Sequence, residues 1–482
     1  MDYISLLLKI FQNNSSKELL LTQDNKSISY ASFWLNAEKL ADKWQKAGVK
    51  QGETIVFIFP NDVSMLCCLL SCAIGGFVAC PIVHNLHQDT ISNMIASVNP
   101  KLIIYENQQL DETLLPNKAY NFYIGVKAAK PFLLNFTSGL TGEPKTMCHS
   151  LDALIGSAYA FSKLSGMTTS TRLYHILPMA YMAGIMNTFF APLMAGGTII
   201  EGPLFSPSNA TDFWTRPINK QVNTVSIVPS IAASLIALTR DHDTIAMVRS
   251  QITQIQCTSA PISKDIKIKF KQKFSIPLQD CYGITELGGP LTFQHLKDAN
   301  AFSDASTPIP QLDISIRNDG ELWIKSPFAM LGYYQNNKLD KHVDQDGFMN
   351  TGDTAMFEDG KISITGRKKD IIIRGGVNVS PLRIETSLSL IPSVEDVAIV
   401  GLEHSFWGEE IVAVIVTAQE RTSVKQEIVS YAATHLAAHE RPDKIVFVNA
   451  LPRSFVGKVQ KNYLKKLIME NKQHDFISLK MD

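Results

Sequence analysis

Short apolar, β-branched runs recur along the first three quarters of the chain, at 54–59, 101–105, 132–136, 172–177, 198–201, 224–228 and 254–258. Each has strand length, and stretches with helical spacing of their apolar positions separate them. Strands alternating with helices bury both faces of a sheet, so the pattern predicts an α/β fold with layered parallel sheets. Between 308 and 324 it shifts to short strands around an Asn318-Asp319-Gly320 turn, as expected of a smaller β-rich subdomain. Residues 360–366 read as a further strand ending at the basic segment Arg367-Lys368-Lys369-Asp370. A new strand and helix set then begins at 371–373, 397–400 and 411–416, marking a compact α+β domain of about a hundred residues. The expected division is 1–367 for the large N-terminal domain and 368–482 for the small C-terminal one.

Two uncharged stretches approach membrane-spanning length. Gly75-Gly76 and Pro81 interrupt the first, 63–83, which reads as a buried helix leading into a strand. The second, 173–200, is cut by Pro178, Gly184, Pro192 and Gly196-Gly197 into strand, loop and short helix. Neither is expected to cross a bilayer. The N-terminal run MDYISLLLKIF carries an early acid and an internal lysine and has no small-residue cleavage pattern, so it does not read as a secretory signal.

Charge narrows the partners. Lys+Arg and Asp+Glu both total 45 over 482 residues, so no global field recruits nucleic acid or an anionic membrane. Seven cysteines include a crowd at Cys67, Cys68, Cys72 and Cys80. The odd count, the apolar flanks and the lack of a histidine at zinc spacing point to buried reduced thiols and a cytoplasmic location.

The segment 136–145, FTSGLTGEPK, gathers hydroxyls, glycines and a lysine as a chain wrapping a polyphosphate would. It is a near miss to a Walker loop, with Pro144 where the second glycine belongs; proline lacks the N–H such a loop aims at phosphate. Thr137-Ser138-Gly139-x-Thr141-Gly142-x-Pro144-Lys145 instead resembles the phosphate loop of the adenylate-forming superfamily, which includes acyl-CoA synthetases, peptide-synthetase adenylation domains and luciferases. Further motifs follow in that family's order. Ser259-Ala260-Pro261 resembles the small-residue turn lying against adenine, and Asp280-Cys-Tyr282-Gly283-Ile-Thr285-Glu286 resembles N-x-Y-G-x-T-E. Thr351-Gly352-Asp353 with Arg367 matches the ribose-binding pair, and Leu451-Pro-Arg453-Ser-Phe-Val-Gly457-Lys458 the segment carrying the catalytic lysine.

The resemblance implies ATP and Mg²⁺ as cofactors, with Glu286 as the metal ligand. Tyr282 would face the purine, Asp280 would accept from its amino group in place of the usual asparagine, and Thr285 and Lys458 would meet the α-phosphate. Lys369 matches the hinge residue of a mobile C-terminal domain, and Gly375-Gly376 the loop lining the pantetheine tunnel. Pro178-Met-Ala-Tyr181-Met-Ala-Gly184 resembles the P-x-x-H-x-x-G segment bordering the acyl pocket, and Gly288-Gly289 after Glu286 would leave space on the opposite side. Its apolar neighbours favour a hydrophobic acid, fatty ahead of aryl. Coenzyme A is the expected acceptor and a separate acyl-carrier protein the alternative; the lysine rows 264–273 and 461–466 could meet either one's charge, or form solvated faces. Leu140, Glu143 and Val377 depart from the family pattern, which leaves open an adenylation fold used only for binding.

Overall fold

The computed structural model describes residues 2–106, 110, 122–136, 145–318, 320–335, 338–453, 457–470 and 477–480. Segment 137–144, which carries Thr137, Ser138, Gly139, Thr141 and Gly142 of the expected phosphate loop, lies outside the described residues, as does Asp319 of the expected turn.

Two seven-stranded sheets form the large domain. One runs in the order Leu278–Cys281, Gln254–Thr258, Thr224–Ile227, Arg172–His175, Thr198–Glu201, Glu18–Leu21, Ser27–Ser29 and is parallel up to its final antiparallel pair. In the other, Leu102–Ile104, Thr54–Phe57, Val78–Pro81 and Pro131–Phe136 are parallel, whereas Thr146–Ser150, Gly332–Gln335 and Lys338–Asp340 extend it antiparallel. Helices Tyr30–Lys46, Ser64–Gly75 and Leu151–Leu164 bury Phe33, Trp34, Leu66, Leu69, Leu154 and Ile155 in the largest shared core. Parallel strands cannot be joined by tight hairpins, so the helical crossovers supply these layers.

The stretch 63–83 is the buried helix Ser64–Gly75, stopped by left-handed Gly76 (φ +75°), followed by strand Val78–Pro81. The stretch 173–200 breaks into short helices Met182–Ile185 and Ala191–Met194 around a π-helical turn, Met186–Phe190, that its apolar spacing did not announce. The N-terminal run is helix Tyr3–Asn13, with Leu7 and Phe11 in the core. Among the described residues no helix is long and apolar enough to cross a membrane. All seven cysteines are buried and unpaired.

The β-rich part is an antiparallel sheet ordered Thr292–Phe293, Ala305–Pro308, Lys361–Arg367, Met349–Glu358, Glu321–Lys325, Asp313–Arg317. After Arg367 comes a single 3₁₀ turn, Lys368–Asp370, and then Ile372–Arg374, the first long-range strand of a separate sheet. That sheet centres on Gly408–Val416, flanked by Asp396–His404 and Lys444–Val448. Its alternating residues bury both faces: Ile399, Ile411 and Ile415 against helices Pro381–Leu388 and Arg421–His435, and Val400, Val412 and Val414 towards Leu464 of helix Lys461–Glu470.

Candidate active site

Antiparallel register builds the centre of the site. Asp353 and Arg367 are direct cross-strand partners, and Arg367 Nε donates to Asp353 Oδ1 at 2.8 Å. The Tyr282 hydroxyl donates to the other oxygen, Oδ2, at 2.8 Å. Burial, and then the Asp353 charge, hold the Tyr282 hydroxyl protonated far above its ordinary range. Asp353 is 3 % exposed, and its two oxygens still carry spare lone pairs for a vicinal diol.

Lys458 enters the same cluster from the small domain. Its loop is closed by the Arg453–Val459 bridge, by Arg453 Nη1 donating to the Gly457 carbonyl at 2.8 Å, and by an Arg453–Asp396 ion pair of 2.6 Å. Gly457 (φ +79°) lies against the start of helix Pro229–Leu238, where an added Cβ would stand 3.0 Å from Ser230 Oγ. Burial and the nearby Arg367 lower the Lys458 pKa, with Asp353 and Glu286 opposing and Lys369 adding to the fall. Residues far apart in sequence thus meet in one charged cluster.

Thr285 and Glu286 share one 3₁₀ turn, Thr285–Leu287, ended by left-handed Gly288 (φ +85°) whose N–H returns to the Thr285 carbonyl. The Tyr333 hydroxyl donates to Glu286 Oε1 at 3.2 Å, and Lys145 Nζ sits 5.0 Å above the Tyr333 ring. Sequence reading missed Tyr333, because GYYQ matches no motif. Only the pairing of Tyr333 with Met147 brings it beside Lys145. Among the described residues no three metal-ligating side chains converge. A single carboxylate suits Mg²⁺, which keeps several waters and takes further ligands from substrate phosphates, so Glu286 fits that role.

Ser259 adopts φ +73°, a left-handed turn that bends Ser259-Ala260-Pro261 away from strand Gln254–Thr258. Asp280 is already engaged: Lys267 Nζ donates to its Oδ2 at 2.5 Å. Burial pushes the Asp280 carboxyl up to about 6 although Lys267 pulls the other way. Lys267 belongs to one of the lysine rows, but it is 1 % exposed and unavailable to a partner's phosphates. Within the same row Lys269 pairs with Asp265, and Lys271 and Lys273 donate to the Asn300 and Ile236 carbonyls.

The glycines divide by what surrounds them. A Cβ on Gly184 would lie 2.1 Å from the Pro178 carbonyl, on Gly288 2.5 Å from that of Phe328, and on Gly283 2.1 Å from that of Gly289. All three permit close backbone approach. Gly289 instead faces side chains, Met186 at 3.0 Å and Met182 at 3.4 Å. Tyr181 precedes the short helix of Met182, and burial raises its hydroxyl pKa. Lys369 lies in the turn between the sheets, while Gly375-Gly376 turn the hairpin Ile372–Arg374 to Val377–Val379, where Gly375 N–H donates to the Trp407 carbonyl.

The AMP-binding enzyme family model matches residues 10–334, and that of the AMP-binding enzyme C-terminal domain matches 383–458. A long-chain-fatty-acid–CoA ligase, FadD13, of Mycobacterium tuberculosis is 27 % identical over 475 residues, covering 91 % of this chain and 93 % of that one. An indoleacetate–CoA ligase of Aromatoleum aromaticum is 26 % identical over 92 % of this chain and 94 % of its own. In fold, the chain is similar to ATP-bound MatB from Rhodopseudomonas palustris, with TM-score 0.84, 23 % identity and coverage of 98 % and 100 %. The chain belongs to the AMP-binding enzyme family and is a member of the adenylate-forming acid–thiol ligases.

Proposed function

We propose that this enzyme activates a hydrophobic carboxylic acid with ATP and passes the acyl group to coenzyme A. The observation that carries the reading is the convergence of Lys458 with Asp353, Arg367 and Glu286, a set of charges suited to a nucleotide ester with its phosphates. A carboxylate is a poor acyl donor until one oxygen is esterified. Its oxygen attacks the α-phosphorus, the bond to the pyrophosphate oxygen breaks, and an acyl-adenylate forms. Lys458 and Thr285 would stabilise the α-phosphate oxygens, and Asp353 with Arg367 would fix the ribose. Glu286 would hold Mg²⁺, which neutralises phosphate charge when bound. Lys145, over the Tyr333 ring, would meet the outer phosphates with the loop Thr137 to Gly142.

Thioester formation requires the thiol sulfur to reach the acyl carbon, with AMP leaving and the thiol proton going to solvent. For this step the small domain would turn about Lys369, withdraw Lys458 and present Gly375-Gly376. Met182 and Met186 facing Gly289 support an apolar acid. Acid-dependent exchange of labelled pyrophosphate into ATP, run over fatty, aryl and amino acids, tests the reading, followed by mass analysis of the product with coenzyme A. Exchange restricted to amino acids, or no thioester with coenzyme A, would overturn it.

A further inference from the structure

Lys267 has no part in the acid-activation chemistry, yet its ammonium is buried beside the one nucleotide-facing position where this chain carries aspartate in place of asparagine. An isolated buried ammonium is strongly disfavoured, and this one is fully matched. Its three donors meet Asp280 Oδ2 at 2.5 Å, the Ser303 carbonyl at 3.0 Å and Asp304 Oδ1 at 3.1 Å. Asp304 is largely exposed, so its stabilisation of Lys267 is screened; Asp280 is the closer and less exposed partner.

Asp280 is not sealed in. Its side chain is 23 % exposed, and among the described residues only Oδ2 has a hydrogen-bond donor. It stands near the carboxyl end of strand Leu278–Cys281, two residues before Tyr282, and Ser259-Ala260-Pro261 leave the adjacent parallel strand at that same end. Carboxyl ends of parallel strands are where open α/β sheets hold ligands. Asparagine at such a place offers both a donor and an acceptor, whereas an ionised carboxylate only accepts.

We propose that Lys267 is a positioning residue for nucleotide choice: by holding Oδ2 it keeps Asp280 ionised and leaves Oδ1 to accept from the exocyclic amino group of a 6-aminopurine. A 6-oxopurine turns a carbonyl towards the same oxygen, so acceptor meets acceptor and binding is lost. The inference rests on the proposed reading of the Asp353–Arg367–Lys458 cluster and its neighbours as an ATP site. It also explains the aspartate and the buried lysine together, since each would be costly without the other.

Calorimetric affinities for ATP and inosine triphosphate test it on the whole enzyme without knowledge of the acid. The wild type should prefer ATP at least about tenfold at pH 7.5, the worth of one charge-assisted hydrogen bond. Because both ligands carry the same triphosphate, their affinity ratio cancels its titration. That ratio should shrink as pH falls through about 6, where Asp280 gains its proton. Among the described residues the charged or titratable groups packed on Asp280 are Lys267 and Asp304, together with Cys257 on the paired strand and the adjacent Cys281, whose thiols burial keeps protonated there. Lys267→Met should erase the preference at pH 7.5, and Lys267→Met with Asp280→Asn should restore ATP affinity, because the amide needs no counter-charge. A ratio that is independent of pH, or a double variant no better than the single, would overturn the proposal. If Lys267→Met fails to fold, Lys267→Gln takes its place: it keeps an N–H donor but not the charge and should narrow the preference at pH 7.5, and an unchanged preference would overturn the proposal. A wild type that binds ATP but exchanges no pyrophosphate with any acid removes the proposed function and leaves this inference standing; binding of neither nucleotide removes both.

Discussion

Asp353 and Arg367 face each other across adjacent antiparallel strands, so a pair 14 residues apart is held at 2.8 Å by sheet register rather than by side-chain reach. A one-residue slip would turn both to the opposite face. Asp353→Asn keeps the shape but sets an amide N–H₂ against either the Tyr282 hydroxyl or the Arg367 guanidinium. The expected loss in kcat/KM for ATP is about ten- to a hundredfold, or roughly 1.5–3 kcal/mol. Steady-state kinetics with saturating acid would check it, and an unchanged value would remove Asp353 from nucleotide binding.

Lys458→Ala should lower adenylate formation from acid and ATP by about a hundredfold or more, the scale of losing one charge-stabilising donor. Thioester formation from supplied acyl-adenylate should be largely spared, because the proposed turn about Lys369 would withdraw the lysine in that step. Single-turnover assays of each half-reaction separate the two. Equal loss in both would rule out the role proposed for this lysine.

Neighbouring glycines should respond differently. Gly288→Ala drives a Cβ to 2.5 Å from the Phe328 carbonyl at φ +85°, so backbone must move and about 1–3 kcal/mol of stability should go, visible as a lower Tm. Gly289→Ala meets the flexible Met186 side chain instead. Beyond its own φ strain, it should reduce kcat/KM more for bulky acids than for small ones. An identical factor across an acid panel would mean that Gly289 does not border the acyl group.

Acid should destabilise the fold through buried imidazoles. Burial lowers the His149 pKa from 6.5 to about 3, and neither ring nitrogen has a hydrogen-bond partner among the described residues. His175 is likewise pushed down, to about 4. A depressed folded pKa means that the unfolded chain takes up the proton first. Stability from each group is therefore full above pH 6.5 and declines below it, by up to about 1.4 kcal/mol per pH unit per histidine. His149→Met should remove one proton's worth of slope between pH 6 and 4.5 in urea titrations. An unaltered slope would show that His149 already bears a proton in the folded state.

Periodicity made the large-scale fold legible. Strands at 198–201 and 254–258 lie where the β-branched runs put them, since residues covered on both faces must be apolar. The π turn Met186–Phe190 stayed hidden because it buries every residue, leaving no polar face to report its pitch. Strand Thr146–Ser150 was equally silent; its sequence TMCHS becomes a strand by pairing with Pro131–Phe136 and Gly332–Gln335. Local propensity yields there to partners distant in sequence.

For the site, the sequence by itself determined the residue types on offer: Glu286, Asp353, Arg367 and Lys458 stand out through the resemblance of their segments to the motifs of the adenylate-forming family. Tertiary structure decided which of them meet and what else joins them. Tyr333 beside Glu286, Lys267 beneath Asp280, and the backbone contacts that require Gly184 and Gly288 come from different strands and helices. A residue's type is fixed locally, whereas its neighbours, burial and ionisation are set by packing that no linear spacing encodes.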